Sequence, residues 1–504
     1  MAPQTRDLSL TLGTSLGGKP MILRGSHAAR HKHIMGVSGA GKSKLLESIA
    51  LQLLNQHVGL ALIDPAGDLC DHLLETLLEM GFFKDERAYS RLLYVDFTDP
   101  ERAVPFNVLA QPYEAHKIAS GVLESWKRAW SSLAGGSAPA LENLLLAGSL
   151  VLAENGEPLT HLHLLLSDGA YRARLLARVS DPQVVAFFDQ FEEAGKRAGI
   201  LSESTLRRIF LLTFSPVLRA SLGSRTNLLQ FRKLMDAGVT LLFNLGGLEN
   251  EVQRFLGCLL TVGIEEAALS RADIPEERRR PFHLIVDEFP LFSAQSGLAM
   301  ERVLSLTRKY GLCLTLANQT WGQVPTDLQS ALQNTTFITF RLGPEDAAWA
   351  ASRVGSVDPR RIKLTPQGRE MFVSSSEQRE EWQQHLMQLH TGEALLRLES
   401  QTIPFTTLKV PSHRSTREAV LRVKQRYAQL LLTPAHPQDT QAPPHVSEMK
   451  DATRPIMPAA KERQADKRQN GKRGDTGDAG GGRAHHQRLE RLSEQDEQEE
   501  QEES

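Results

Sequence analysis

A run of eight residues near the N-terminus has the composition and spacing of a phosphate-binding loop (P-loop). Residues 36–43 read GVSGAGKS, which fits the pattern G-x-x-x-x-G-K-[ST]. Glycines in such a loop let successive backbone N–H groups converge on phosphate oxygens, and the following helix adds the positive end of its dipole. The pattern predicts that Lys42 contacts the β- and γ-phosphates of a nucleotide and that the Ser43 hydroxyl is a Mg²⁺ ligand. The residues expected to contact the nucleotide are Gly36, Ser38, Gly39, Ala40, Gly41, Lys42, Ser43 and Lys44.

The segments on either side of this loop have the patterns that such a loop requires. Before it, residues 33–35 are mostly apolar and predict the end of a strand. After it, apolar residues recur with helical spacing at positions 45, 46, 49, 50, 53 and 54. The order strand, glycine loop, helix therefore supports a P-loop over a chance match.

A second candidate site is a pair of acids that follows an apolar run. Residues 282–286 predict a buried strand, which Asp287 and Glu288 follow directly. We expect Asp287 to be a Mg²⁺ ligand, usually through water, and Glu288 to orient and deprotonate the attacking water. The pair favours nucleotide hydrolysis over nucleotide binding alone.

Further polar residues have the positions of a sensor and of a transition-state cation. Gln319 ends the next predicted strand, where its amide could read the γ-phosphate, and Asn318 beside it is the alternative. Arg308 lies on a predicted helix at about 299–309 and could reach the nucleotide of a neighbouring subunit. Spacing alone fits a surface arginine near a helix end equally well, and Arg341 is a second candidate.

The composition is that of a soluble protein with more than one domain. The chain has 504 residues, 41% hydrophobic and 23% charged, and a formal net charge of −2. This charge excludes a global basic signature for nucleic acid, but it does not exclude a local basic channel. The three cysteines have no metal-ligand spacing, and we interpret them as buried residues of a reducing compartment. Without a long apolar run or an apolar signal-peptide core, we expect a cytoplasmic protein with no direct membrane insertion.

Strand and helix patterns alternate in two separate parts of the chain. They predict an α/β fold with a mostly parallel sheet, built from residues 31–111 and 236–411. Helical patterns dominate residues 112–235, which predicts an inserted all-α domain. Residues 1–30 predict a small N-terminal β element. Residues 434–504 are rich in Pro, Gln and charged residues and predict a disordered C-terminal tail.

The motifs together resemble those of the coupling-protein ATPases of conjugative type IV secretion, the TraD/TraG group within the HerA/FtsK superfamily of P-loop DNA translocases. The resemblance covers about residues 20–410, and the Asp-Pro-x-Gly-Asp stretch and the helical insertion before the acid pair are the features that point to this group. The stretches that carry it are HIMG at 33–36, IDPAGDL at 63–69, VPFNVL at 104–109, IVDEF at 285–289, TRKYG at 307–311 and ANQ at 317–319.

This resemblance implies a RecA-like fold and a homo-hexameric ring, with ATP and Mg²⁺ at each interface and DNA in the central channel. It implies that Arg308 acts in trans on the neighbour's nucleotide and that Gln319 is the sensor. Membrane-bound relatives carry transmembrane helices before the motor, whereas only about 30 residues precede the P-loop here. We therefore expect a soluble member, with a relaxase or other type IV secretion proteins as partners.

The resulting prediction is an ATP-hydrolysing DNA translocase that acts in conjugative transfer or in mobilisation of a mobile element. One alternative is a HerA-like motor that partners a nuclease in DNA processing or defence, because it would have the same active site. A second is a nucleotide-controlled scaffold that moves no DNA, against which the intact acid pair argues. Arg207, Arg208 and Arg232 are candidate DNA contacts, although solvated helix faces are the simpler interpretation.

Overall fold

The protein is described here by a computed structural model. It describes residues 7–98, 102–130, 139–193, 215–292, 307–364, 366–410, 417–431 and 433–434, together with Phe210 and Leu304. The strands are β1 (Ser9–Ser15), β2 (Pro20–Arg24), β3 (Lys32–Met35), β4 (Gly59–Asp64), β5 (Leu92–Asp96), β6 (Arg102–Ala103), β7 (Thr240–Asn244), β8 (Phe282–Val286), β9 (Leu312–Asn318), β10 (Thr336–Thr339), β11 (Ile362–Leu364), β12 (Glu370–Phe372), β13 (Glu393–Leu398), β14 (Gln401–Thr407) and β15 (Thr433–Pro434). The α-helices are α1 (Lys42–Asn55), α2 (Asp68–Glu79), α3 (Ala88–Arg91), α4 (Ala115–Ala129), α5 (Pro139–Glu154), α6 (Leu162–Ser167), α7 (Gly169–Leu176), α8 (Pro182–Glu193), α9 (Pro216–Leu222), α10 (Phe231–Ala237), α11 (Asn250–Leu269), α12 (Thr326–Leu332), α13 (Pro344–Val354), α14 (Ser375–Gln388) and α15 (Arg417–Leu431).

The main sheet of the described residues has eleven strands in the order β2-β1-β14-β13-β10-β3-β9-β8-β4-β7-β5. The seven strands from β10 to β5 are parallel, and the other four pair antiparallel along one side. The prediction of an α/β fold with a mostly parallel sheet is thus confirmed.

The central parallel strands are buried from end to end. Every residue of β3, β4, β7, β8 and β9 is buried, because helices cover both faces of the sheet. This burial explains why these strands appear in the sequence as continuous apolar runs without the alternation of a half-exposed strand. It also leaves the ends of the strands as the places where polar side chains are accessible.

Both ends of the described chain pack onto the sheet. The N-terminal β element, β1 and β2, is hydrogen-bonded to β14 and so extends the main sheet. At the opposite edge α15 packs with its Tyr427 buried, and the Tyr427 hydroxyl donates to the carbonyl of Leu92 in β5 at 2.8 Å. This helix lies beyond residue 411, where the sequence predicted the ATPase domain to end.

The region predicted as an all-α insertion contains helices α4 to α10 among its described residues. Its helix α4 packs along α11, which covers the sheet. Trp126 of α4 is fully buried with its ring 4.7 Å from that of Phe255 in α11. Arg128 of α4 makes a bidentate ion pair with Glu265 of α11, at 3.0 and 2.8 Å. The helical region therefore shares a hydrophobic core with the sheet and is held to it by a buried charge pair.

The remaining sequence predictions concern the C-terminus and the membrane. Most of the predicted tail, residues 435–504, lies outside the described residues. Among the residues that the structure describes, no helix has both the length and the apolar character needed to cross a bilayer.

Candidate active site

The order of the strands brings the predicted site residues together at the carboxyl ends of the central strands. Strand β9 lies between β3 and β8, and all three are parallel. The P-loop follows the carboxyl end of β3, Gln319 follows β9, and Asp287 and Glu288 follow β8. Ligands of open parallel sheets bind outside the carboxyl ends of the strands. The structure therefore places Lys42, the acid pair and Gln319 around one cleft.

The P-loop has glycine where side chains would not fit. A Cβ at Gly36 would lie 2.7 Å from the Cβ of Phe340, and Gly41 has a φ of 120°, which residues with a side chain rarely adopt. A segment far away in sequence supports the loop from outside, because the N–H of Gly392 donates to the carbonyl of Ala40 at 2.9 Å. The Thr391 hydroxyl also donates to the Gly39 carbonyl at 3.3 Å.

Lys42 is buried at the start of α1 and its ammonium group lies inside the loop. Its Nζ donates to the Gly36 carbonyl at 2.6 Å. Burial lowers the pKa of Lys42, and the negative charges of Glu288 and Asp287 oppose this shift.

The neighbours of Lys42 in the P-loop differ in how accessible they are. Ser38, Gly39 and Ser43 are exposed, as a phosphate and metal site requires. The side chain of Lys44 is bound elsewhere, since its Nζ forms an ion pair with the buried carboxylate of Glu47 at 2.8 Å. Only the backbone N–H of Lys44 is therefore suited to phosphate.

The acid pair is electrostatically strained. Burial raises the pKa of Asp287 to about 6, and the neighbouring charges of Glu288 and Asp64 add to the rise while Lys42 opposes it. A cation placed among these carboxylates would relieve their repulsion. Asp64 ends β4, next to β8, and its own pKa is raised by burial although it accepts hydrogen bonds from backbone N–H groups of the following turn. The sequence prediction gave no role to Asp64, although its position at the end of a buried strand marked it.

Glu288 is held in an unusual position. It has a φ of 46°, a left-handed conformation that costs energy in a residue with a side chain. The Nε2 of Gln319 donates to its Oε1 at 2.6 Å. The predicted base and the predicted sensor are therefore in direct contact, and the amide fixes the direction of the carboxylate.

The alternative sensor, Asn318, has both ends of its amide engaged. Its side chain is fully buried, its Oδ1 lies 2.8 Å from Nε2 of His33, and its Nδ2 donates to the carbonyl of Thr320 at 2.6 Å. These contacts anchor the carboxyl end of β9 to β3, and they favour Gln319 over Asn318 as the residue that faces the nucleotide.

Arg308 lies at the amino ends of the parallel strands, whereas the P-loop of its own chain lies at their carboxyl ends. It is exposed in a 3₁₀ turn, Thr307–Tyr310, which precedes the amino end of β9. Most of the predicted helix at 299–309 lies outside the described residues. Arg341, in contrast, lies beside the P-loop, where its carbonyl accepts the N–H of Val37 at 2.9 Å. Arg308 is therefore separated from the P-loop of its own chain by the length of the parallel strands.

The candidate DNA contacts have mixed outcomes. Arg232 forms ion pairs with Asp236 at 2.6 Å and Asp273 at 2.9 Å, so its charge is already neutralised within the protein. Asp236 lies four residues further along the same helix, so this pair has helical spacing, whereas Asp273 is distant in sequence. Arg207 and Arg208 lie outside the described residues.

The residues present fit a magnesium–nucleotide complex better than a metal held by protein alone. Within the described part of the chain, no group of three or more His, Cys, Asp or Glu side chains is placed to hold a metal ion. Mg²⁺ at nucleotide sites is held by one or two protein oxygens together with phosphate oxygens and water. The exposed Ser43 hydroxyl and the strained Asp287 carboxylate are such oxygens.

Comparison with solved structures identifies the fold. The bacterial conjugative coupling protein TrwBdeltaN70, in a trigonal form with sulphate, is 15% identical, with a TM-score of 0.52 over 83% of this chain and 98% of that chain. The plasmid coupling protein TrwB in complex with ADP and Mg²⁺ is 15% identical, with a TM-score of 0.51 over the same shares. TrwB in complex with the non-hydrolysable ATP analogue ADPNP is 16% identical, also with a TM-score of 0.51 over 83% and 98%. No protein-family model matches the sequence, and no curated protein sequence matches it. The chain thus has the fold of the TrwB coupling protein.

Proposed function

We propose that the protein is an ATP-hydrolysing motor that moves DNA, in conjugative transfer or in the mobilisation of a mobile element. The observation that carries the hydrolytic part of the proposal is the Glu288–Gln319 contact beside the P-loop, because it provides a positioned base next to a phosphate cradle. The likeness to a bacterial conjugative coupling protein supports the DNA part. The TrwB structures with ADP and Mg²⁺ and with ADPNP support ATP and Mg²⁺ as the ligands of this fold.

The side chains of the cleft have separate tasks in hydrolysis. The Glu288 carboxylate accepts a proton from the attacking water, and Gln319 holds that carboxylate in position. Lys42 exchanges the Gly36 carbonyl for phosphate oxygens and balances their charge. Mg²⁺, held by Ser43 and Asp287, would supply further neutralisation of the phosphates.

The proposal includes a ring of identical subunits, in which Arg308 completes the neighbour's site. The support is geometric, since Arg308 is exposed near the amino ends of the parallel strands, away from its own P-loop at their carboxyl ends. An arginine supplied in trans stabilises the charge that develops on the transferring phosphoryl group. Such an arrangement couples hydrolysis to movement between subunits, as a motor requires.

The central test compares ATP turnover with ATP binding in Glu288→Gln. We expect binding to remain and turnover to fall by about 100-fold or more, because glutamine keeps the contact to Gln319 but accepts no proton. Glu277→Gln, at an exposed position, is the matched control. Normal turnover in Glu288→Gln would remove this residue from the mechanism.

The DNA part of the proposal needs a separate measurement. We expect single- or double-stranded DNA to stimulate the ATPase activity of the wild-type protein, and the stimulation to weaken as salt rises. ATPase activity that no DNA stimulates at any salt concentration would favour the nucleotide-controlled scaffold instead.

The trans role of Arg308 is tested by mixing inactive subunits. Arg308→Ala subunits lack the finger and Lys42→Ala subunits lack a working P-loop, so mixed rings should regain part of the activity. Lys309→Ala, an exposed neighbour in the same turn, should stay active by itself. If no mixing ratio restores activity, Arg308 does not act across a subunit interface.

A further inference from the structure

A polar pocket of about 520 Å³ lies near the amino ends of the parallel strands, whereas the P-loop lies at their carboxyl ends. Among its lining residues, Arg30 comes two residues before β3 and Thr335 directly precedes β10. Arg397 of β13 is paired with Phe337 near the start of β10. Because the P-loop follows the carboxyl end of β3, the length of that strand, on the order of 13 Å, separates the two places.

The pocket has an excess of positive charge. Three arginines line it, Arg30, Arg353 and Arg397, against a single carboxylate, that of Glu399. The other lining residues, which include Gln333 and Asn334 amides, are uncharged. An arginine cluster with so little compensation repels itself and is stabilised by an anion.

Arg353 shows this imbalance most clearly. Its guanidinium lies 4.4 Å from the ring centroid of Phe337 and 5.6 Å from that of Trp349, and its Nη2 donates to the Leu332 carbonyl at 2.6 Å. Its Nη1 is buried and has no hydrogen-bond partner among the described residues. Burial, with the nearby charge of Arg397 adding to it, lowers the pKa of Arg353 to about 10, so the group still carries its charge at neutral pH.

The other two arginines are held in place and keep donors free. The Nη1 of Arg397 donates to the carbonyl of Ser400 at 2.8 Å and to the hydroxyl of Thr402 at 3.1 Å, both of which are neutral. The Nη2 of Arg30 forms an ion pair with Glu399 at 3.1 Å. Each guanidinium has five N–H donors, so these contacts orient the groups without using all of their donors.

We propose that this pocket is a second phosphate-binding site, separate from the P-loop, whose ligand is a phosphate group. Arginine forks match the oxygens of phosphate in charge and geometry, and they are already oriented here. The phosphate group can be part of a nucleic-acid backbone or can be free inorganic phosphate. Either one would compensate the excess positive charge of the three lining arginines.

The test uses the full-length chain with Lys42→Ala, so that the P-loop does not contribute to phosphate binding. Inorganic phosphate is titrated by calorimetry, and a fluorescent single-stranded oligonucleotide is titrated by anisotropy. We expect Arg353→Gln and Arg397→Gln to weaken binding about ten-fold or more, the loss of a charged hydrogen bond. Arg278→Gln, an exposed arginine outside the pocket, is the control and should change binding little.

A variant with the opposite expected effect guards against misfolding as the explanation. Glu399→Gln removes the single carboxylate and frees Arg30, so it should tighten phosphate binding about two- to five-fold. A damaged pocket is not expected to bind inorganic phosphate more tightly. If Glu399→Gln leaves binding unchanged or weaker, or if the arginine variants bind like Arg278→Gln, the site does not exist.

The two titrations also distinguish the source of the phosphate. Binding of the oligonucleotide that inorganic phosphate displaces, with both sensitive to Arg353→Gln, identifies the nucleic-acid backbone as the ligand. Binding of inorganic phosphate with the same sensitivity, while the oligonucleotide does not bind, identifies the free ion. Binding of neither overturns the proposal.

Discussion

Replacing Asp287 by asparagine should stabilise the nucleotide-free protein while it destroys the active site. The pKa of Asp287 is raised to about 6 from its ordinary value of 3.8. Because the folded protein disfavours the ionised carboxylate, this rise corresponds to a cost of about 3 kcal/mol at neutral pH. Asparagine removes the charge, and its Oδ1 can still accept the N–H of Glu288, which now lies 3.1 Å from Oδ1 of Asp287.

The sign of the effect depends on pH in a defined way. The carboxylate ionises first in the unfolded chain, above pH 3.8, and in the folded protein only near pH 6. The gain from Asp287→Asn should therefore be about 3 kcal/mol at pH 7.5, at most, and about half as large at pH 5. Relaxation of the cleft would reduce both gains. The gain at pH 7.5 should nevertheless remain at least about 1 kcal/mol.

The assay is urea unfolding followed by circular dichroism, in the presence of a chelator, at these two pH values. Asp273→Asn is the matched control. Its carboxylate is exposed and hydrogen-bonded to Arg232, which lowers the pKa of Asp273, so its replacement should not stabilise the protein. Adding Mg²⁺ and a non-hydrolysable ATP analogue should then stabilise the wild-type protein more than Asp287→Asn. Equal stability of wild type and Asp287→Asn at pH 7.5 would refute the reasoning that the acid pair is strained.

Three further predictions concern the residues that support the site. Burial lowers the pKa of His33 to about 3 from its ordinary value of 6.5. As pH falls below 6.5, the unfolded chain therefore takes up a proton that the folded protein does not, and the folded protein loses stability. Between pH 7 and 5, urea unfolding should show that the free energy of unfolding of the wild type falls by about 2 kcal/mol more than that of His33→Asn. Glu265→Gln leaves buried Arg128 with only the partly exposed Glu124 carboxylate, 3.0 Å from its Nε, as a counter-charge, so it should lower the free energy of unfolding by up to about 3 kcal/mol. Replacing both Arg128 and Glu265 by methionine should restore most of this loss; urea unfolding of the three proteins measures it, and additive losses would contradict it. Gly36→Ala places a Cβ 2.7 Å from that of Phe340, so it should lower stability by about 1–3 kcal/mol and weaken nucleotide binding, which thermal unfolding and analogue titration would detect; an unaffected affinity would show that the loop adapts.

The P-loop could be predicted because its chemistry is local. Eight consecutive residues supply the cradle, and the strand and helix that flank it are marked by their apolar spacing. The acid pair was predictable for the same reason, since an apolar run that ends in two acids identifies the carboxyl end of a buried strand. The α/β class followed from the alternation of such runs with helical patterns.

Other features had weak or misleading signals in the sequence. Helix α15 was not assigned, although Val420, Val423 and Tyr427 of its buried face recur with helical spacing. Arg232 was considered as a DNA contact because it is basic; its partner Asp236 is four residues away, but its second partner Asp273 lies 41 residues away. Ion pairs between distant residues have no signature in the local pattern.

By itself, the sequence indicated the P-loop, the acid pair and most of the strands and helices around them, because these features depend on neighbours a few positions apart. Only the tertiary structure decided how these segments are ordered. It placed β9 between β3 and β8 and so brought Gln319 into contact with Glu288. It also put Arg308 at the amino ends of the strands, away from the P-loop. It also gathered arginines from positions 30, 353 and 397 around one pocket. The physical reason is that strand order is set by the packing of whole buried faces, which sums contacts over the entire chain and is encoded in no single stretch of it.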